Sequence, residues 1–167
     1  VDKYDVHVPV IGEHGDSEFP VWSNAAIGMI PLTEFPLPKG TSLEQIQIEL
    51  ADVTRDRGNA IVQRKGHTSY GIATSVAQVI DAIVRDEKRM FTVSVKADPT
   101  YGVGDEVVLG LPCIIGKHGI EGRLVLPRNT LEQHLLEVSA AKLNHAYQLL
   151  SHSQRQEPTF KPQLIAG

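Results

Sequence analysis

The fold is decided by residues 10–23, VIGEHGDSEFPVWS, in which a hydrophobic strand runs into a polar corner and then into a second extended segment. Valines at every second position from Val6 predict a strand with one buried face, which leaves His7 on the opposite face. We expect this strand to end at Gly12, so that the corner holds His14 at the edge of a sheet. An imidazole titrates near neutral pH, and a rigid position suits a group that transfers protons.

Two long helices are predicted downstream of this corner. Thr41 and Glu44 fit a capping box at the start of the first helix, and its apolar positions recur at helical spacing as far as Gly66. A second helix is expected to start at residues 68–69 and to end at residues 86–88. Both helices have an apolar face that needs a partner surface.

Three strands and a final helix complete the predicted fold. The segments MFTVSV (90–95), EVVLGLPCII (106–115) and IEGRLVLP (120–127) are separated by turns and predict an antiparallel meander. Asn129 and Glu132 resemble a second capping box that begins the last helix. The predicted fold class is therefore α+β, a twisted antiparallel sheet packed with long helices.

Length and composition indicate one domain. The 167 residues are enough to bury a core, and no linker divides them. We expect residues 1–150 to form the domain and residues 151–167, which are polar and contain two prolines, to form a flexible tail.

Charge and cysteine usage restrict the partners and the compartment. Sixteen lysines and arginines are scattered among twenty aspartates and glutamates, which argues against nucleic acid as a partner. No apolar run approaches the ~20 residues of a membrane span, and residues 1–10 lack a signal-peptide core. The single cysteine, Cys113, has apolar neighbours and is expected to be a buried thiol. These features favour a cytoplasmic protein.

Three other chemistries lack their usual sequence patterns. No histidine, cysteine or aspartate spacing fits zinc or calcium, so we expect no metal. Ser17 lies close to His14 and Asp16, but no G-x-S-x-G elbow is present. The glycines in residues 102–110 have the wrong spacing for a dinucleotide turn and lead into a strand.

Several stretches resemble, in the same order, the L-lactate dehydrogenases of the lactate/malate dehydrogenase family. They are IGEHGDSEFPVWS (11–23), KGHTSYGIATSVAQVIDAIVRDEKRMFTVSV (65–95), GVGDEVVLGLPCIIGKHGI (102–120) and SAAKLN (139–144). The resemblance runs from about residue 6 to about residue 150 and covers only the C-terminal, substrate-binding half of such an enzyme. It implies that residues 1–150 are the substrate and catalytic domain, and that the nucleotide-binding domain lies outside this chain.

The resemblance also assigns roles to three residues. His14 matches the acid/base that gives a proton to the ketone oxygen of pyruvate and takes it back from L-lactate, with NAD as the hydride carrier. Thr68 matches a threonine near the substrate, and Ile72 matches an apolar residue beside the nicotinamide ring. If no ligand is bound there, Thr68 is interpreted as a helix N-cap worth ~1 kcal/mol, and Ile72 is interpreted as part of an apolar helix face.

His7 matches a position that holds fructose 1,6-bisphosphate in allosteric bacterial members, although it also reads as a solvated strand residue. The family further implies a cytoplasmic homotetramer that works in glycolysis and fermentation. NAD would be bound mainly by the nucleotide-binding domain. The same missing part of the enzyme would supply the groups that orient His14 and bind the substrate carboxylate. We therefore expect the isolated chain to be inactive.

Two alternatives remain open at this stage. Glu13 and the FPVWS continuation favour lactate, but a malate dehydrogenase or another 2-hydroxy acid dehydrogenase is also compatible with the sequence. A non-catalytic module for oligomerisation or protein interaction is the alternative from another class. Such a module has no need for a glycine-flanked histidine.

Overall fold

A computed structural model describes residues 1–104 and 106–154. In chain order, these residues form β1 (Val6–His7), β2 (Val10–Ile11), β3 (Phe19–Pro20), β4 (Ala26–Ile27), β5 (Ile30–Pro31), α1 (Leu43–Lys65), α2 (Ser69–Val84), β6 (Arg89–Lys96), β7 (Val108–Gly116), β8 (Gly119–Arg123) and α3 (Thr130–Gln154). None of these helices is long and apolar enough to cross a membrane.

The predicted meander is confirmed as an antiparallel sheet in the order β6-β7-β8. β6 and β7 pair along their whole length, from Arg89 opposite Ile115 to Lys96 opposite Val108. β7 lies in the middle and carries most of the buried strand residues, because helices and loops cover it. With the three long helices, this sheet confirms the α+β fold class.

The single strand predicted before Gly12 is wrong, because the structure divides it into β1 and β2. Pro9 interrupts the run, since it has no N–H to donate to a sheet. The two halves also pair with different partners: β1 pairs with β4, and β2 pairs with β3. Val6 is exposed in consequence, so the buried face begins only beyond it, whereas His7 is exposed as expected.

The helix boundaries follow local signals in most places. α1 is capped by Ser42 rather than the predicted Thr41, because the Ser42 hydroxyl accepts from the Gln45 N–H at 3.3 Å. The helix ends as predicted at Gly66, which has a left-handed φ of 79°. α2 starts after Thr68, whose side chain makes no capping hydrogen bond.

The core lies where α2, α3 and the segment after β3 pack against β7. Ala82 of α2, Leu136 of α3 and Val21 have no exposed surface. Cys113 on β7 is also buried and forms no disulfide, and burial raises the pKa of its thiol. This confirms the expected buried thiol and makes it an unreactive core residue.

The end of α3 differs from the expected boundary. The helix continues to Gln154, four residues beyond the predicted end of the domain at residue 150. The rest of the predicted tail, residues 155–167, lies outside the described residues.

Candidate active site

His14 lies in the loop that joins β2 to β3, and its side chain is 92% exposed. Its Nδ1 atom is 3.2 Å from a carboxylate oxygen of Glu18, four residues later in the same loop. Asp16, which is nearer in sequence, does not pair with the ring and instead lies 3.5 Å from Lys142. The imidazole is therefore presented outward, held at one nitrogen and open on its remaining edge.

Gly12 fixes the start of this loop against the central sheet. Its N–H donates to the carbonyl of Gly110 at 3.1 Å, and the Gly110 N–H donates back to the Gly12 carbonyl at 2.8 Å. Gly12 has a φ of +108°, a conformation that favours glycine. A Cβ atom there would lie 2.7 Å from the Ser139 hydroxyl oxygen. Neither partner is predictable from local sequence, since Gly110 and Ser139 are both distant from Gly12 along the chain.

Glu13 and Lys142 form an ion pair beside the histidine, with Nζ 2.9 Å from the carboxylate. Partial burial of Glu13 acts to raise its pKa, but the hydrogen bond from Ser17 and the Lys142 ammonium outweigh it, so the pKa lies below its ordinary value. The Glu13 hydrogen bond and charge raise the pKa of Lys142 in turn. Both groups are thus charged around neutral pH, and they connect the loop to α3.

Ser139 on α3 is a buried polar residue that is not among the predicted site residues. Its hydroxyl accepts from the Glu13 N–H at 2.5 Å and lies 3.2 Å from the Ser17 hydroxyl. A signal for it exists in the sequence, because Ser139 lies three residues after Leu136 on the buried face of α3. A hydroxyl on a buried face needs a partner, and here that partner is the loop that carries His14.

Thr68 and Ile72 lie at the N-terminal end of α2, and both are exposed. Ile72 keeps 64% of its surface exposed, so packing within the described chain does not account for it. Two surface grooves flank β3 and α1, but neither is lined by Thr68, Ile72 or His14. These three side chains are therefore exposed surface groups outside both grooves.

His7 lies on β1, an edge strand of the small sheet β1-β4-β5, opposite Ala26. It is exposed, which is compatible both with a solvated residue and with a ligand contact. Within residues 1–104 and 106–154, no group of three or more histidines, cysteines or acids is placed to hold a metal ion.

A sequence model for the lactate/malate dehydrogenase α/β C-terminal domain matches residues 1–153. This chain belongs to that family. The predicted resemblance to the C-terminal domain of lactate/malate dehydrogenases is confirmed by the match.

Relatives of the family member described here are L-lactate dehydrogenases. The protein from Moorella thermoacetica is 39% identical over 152 residues, which cover 90% of this chain and 48% of the relative. The protein from Streptococcus thermophilus strain CNRZ 1066 is 41% identical over 143 residues, covering 86% of this chain and 43% of the relative. This lactate/malate dehydrogenase domain thus spans about half the length of the relatives it matches.

Two solved lactate dehydrogenases share the fold. MGS-M5, from a Medee basin deep-sea metagenome library, matches with a TM-score of 0.85 and 33% identity, over 90% of this chain and 48% of that one. The Eimeria maxima enzyme, solved with NADH and oxamate, matches with a TM-score of 0.85 and 30% identity, over 94% and 49% of the two chains. The fold assigned to this lactate/malate dehydrogenase domain is confirmed by both.

Proposed function

We propose that this chain is the substrate-binding half of an NAD-dependent L-lactate dehydrogenase that interconverts pyruvate and L-lactate. The observation that carries the proposal is the outward-facing imidazole of His14 on a tethered loop. It is supported by relatives that are named L-lactate dehydrogenases.

His14 is the proposed proton donor and acceptor. Because the Glu18 carboxylate lies 3.2 Å from Nδ1, Nε2 is the ring nitrogen left to face a substrate. As imidazolium, the ring donates a proton to the ketone oxygen of pyruvate, and as neutral imidazole it takes the hydroxyl proton of L-lactate. A carboxylate at Nδ1 fixes the orientation of the ring.

The exposed face at the start of α2 is the proposed contact for the nicotinamide end of NAD. Ile72 is exposed, as is Val76 one turn later, and their apolar surface suits one face of a planar ring. The Thr68 hydroxyl makes no capping hydrogen bond and can therefore hydrogen-bond a substrate oxygen. When bound, the nicotinamide exchanges a hydride with the substrate carbon. The phosphate-binding part of NAD needs a glycine-rich turn that this sequence does not contain.

The remaining assignments depend on the family resemblance. We propose that the working enzyme pairs this domain, residues 1–150, with a nucleotide-binding domain and assembles as a cytoplasmic homotetramer in glycolysis and fermentation. We also keep fructose 1,6-bisphosphate as a proposed effector at His7, whose exposed position on an edge strand leaves its ring accessible.

Activity of the enzyme that joins this chain to its nucleotide-binding domain tests the proposal. We expect that enzyme to oxidise NADH with pyruvate, and the 167-residue chain alone to show no turnover. His14→Gln should lower kcat by about a hundredfold to ten thousandfold, because the proton-transfer group is lost.

His145→Gln is the matched control, since His145 is an exposed histidine on α3, and it should stay within about twofold of the unsubstituted enzyme. Malate and other 2-hydroxy acids assayed in parallel decide the substrate. Full turnover by His14→Gln, or by the chain alone, would contradict the proposal.

A further inference from the structure

The contacts around Glu13 form a closed ring of hydrogen bonds in which each group donates to the next. The Glu13 N–H donates to the Ser139 hydroxyl, and the Ser17 hydroxyl donates to the Glu13 carboxylate. A carboxylate only accepts, so the single Ser17 hydrogen is committed to it. In the 3.2 Å contact between the two hydroxyls, Ser139 is therefore the donor. The ring leaves Glu13 at its N–H and returns to its own carboxylate.

Charge and close packing hold this ring in place. Lys142 pairs with the same carboxylate oxygen, Oε2, that accepts from Ser17, which keeps that oxygen an acceptor. Ser139 is fully buried, so water does not replace its partners easily. Gly12 approaches the Ser139 hydroxyl so closely that a side chain at position 12 would displace this hydroxyl.

His14 itself contributes little to its own placement. Its side chain is 92% exposed, and its contact with Glu18 is local to the loop. In the described chain, Gly12 connects the loop to β7 through its hydrogen bonds with Gly110. The loop also contacts α3 through Glu13, Asp16 and Ser17. The position of the imidazole is thus set by its neighbours in sequence and by the groups that hold them.

We propose that Ser139, Ser17 and Lys142 are positioning residues that act through Glu13 to fix the His14 loop for proton transfer. The catalytic part of this proposal rests on the proposed function of His14. Proton transfer requires donor and acceptor within hydrogen-bond reach, so a loop that shifts by about 1 Å loses much of the rate. None of the three residues needs to touch the substrate.

The test uses the enzyme that joins this chain to its nucleotide-binding domain, with the variants Ser139→Ala, Ser17→Ala, Lys142→Gln and Lys142→Arg. Lys96→Gln is the matched control, because it removes another lysine–glutamate pair, 2.8 Å from Glu106, on the central sheet. Amide hydrogen exchange of residues 12–18 reports on the loop independently of activity. Steady-state kinetics with pyruvate give kcat and KM.

We expect both serine variants and Lys142→Gln to speed exchange in the loop and to lower kcat by about tenfold to a hundredfold, with KM for pyruvate changed by about twofold or less. Lys142→Arg should restore kcat because it keeps the charge, and Lys96→Gln should change neither readout. A purely structural role would reduce the amount of folded enzyme and leave kcat per folded site unchanged.

Unchanged exchange in both serine variants, or faster exchange without loss of kcat, would overturn the proposal. An unsubstituted enzyme that does not reduce pyruvate would instead overturn the proposed function of His14. In that case the hydrogen-exchange rates of residues 12–18 still decide whether the ring of hydrogen bonds around Glu13 holds the loop.

Discussion

Gly12 is the residue at which three parts of the molecule come within contact distance. Its backbone pairs with Gly110 on β7, and its Cα faces the Ser139 hydroxyl of α3 and the Ser17 carbonyl. A glycine beside a histidine is easily interpreted as room for a ligand. Here the missing side chain makes room for the protein itself, and the ligand side of the loop is the exposed face of His14.

Gly12→Ala is expected to destabilise the chain by about 1–3 kcal/mol, because alanine at a φ of +108° is strained and its Cβ would lie 2.7 Å from the Ser139 oxygen. Urea unfolding measures the change. Gly58→Ala is the control with the opposite expectation: Gly58 lies within α1 with open space around it, so alanine should stabilise by about 0.5–1 kcal/mol. Equal effects of the two substitutions would contradict this account.

At the scale of elements, the start of α3 joins the helix to the segment that follows β3. The Asn129 N–H donates to the Glu132 carboxylate at 3.0 Å, and the Glu132 N–H donates back to the Asn129 side chain at 2.9 Å. Glu132 is only 3% exposed and also accepts from the N–H and the hydroxyl of Ser23, at 2.8 Å and 2.6 Å. One carboxylate therefore caps the helix and fixes the approach to it.

Glu132→Ala should cost about 1–3 kcal/mol, because the variant loses the hydrogen bonds that the buried carboxylate accepts from Ser23 and Asn129. Glu137→Ala on the same helix is the comparison, since Glu137 is exposed and accepts from Gln133 one turn earlier, an interaction worth about 0.2–0.5 kcal/mol. Thermal unfolding of the two variants gives the difference. A loss at position 132 no greater than that at position 137 would show that Ser23 and Asn129 find other acceptors.

The elements that were predictable from sequence are those with local signals. The Asn129–Glu132 box and the glycine end of α1 depend on residues a few positions apart, and both were confirmed. Ser23 is 109 residues from Glu132, and no local pattern announces such a contact. The same holds for Ser139, whose partners in the candidate site are equally remote in sequence. His14 could be proposed from the sequence because its motif is contiguous, whereas the groups that hold its loop lie far apart along the chain.

At the scale of the whole molecule, α1 and α2 expose an apolar surface. Helical periodicity correctly identified apolar positions on both helices, but a periodic face does not reveal what covers it. Exposed large apolar residues on these helices are Ile48, Leu50, Val53, Ile61, Val62, Ile72, Val76, Ile80 and Val84. A large exposed apolar surface is typical of an interface.

We expect the chain alone to self-associate at micromolar concentration through this surface, and Ile80→Glu to weaken the association. Sedimentation velocity over a concentration series measures it, with thermal unfolding to confirm that the variant is folded. Met29→Glu is the control, because Met29 is 99% exposed but lies in the β4–β5 turn, away from both helices. A monomeric chain at all concentrations, or equal effects of the two substitutions, would contradict the expectation.

The reciprocal pairing of Gly12 with Gly110 has a corollary for engineering. Both backbone hydrogen bonds join the histidine loop to Gly110, near the start of β7. The position of the loop relative to the sheet is therefore set by a strand almost a hundred residues away in sequence. A designer who transplants the loop onto another scaffold must also supply a strand with glycine in the matching register, and a helix that offers a hydroxyl behind it. The transferable unit consists of the loop, the strand and the helix, which come from distant parts of the chain.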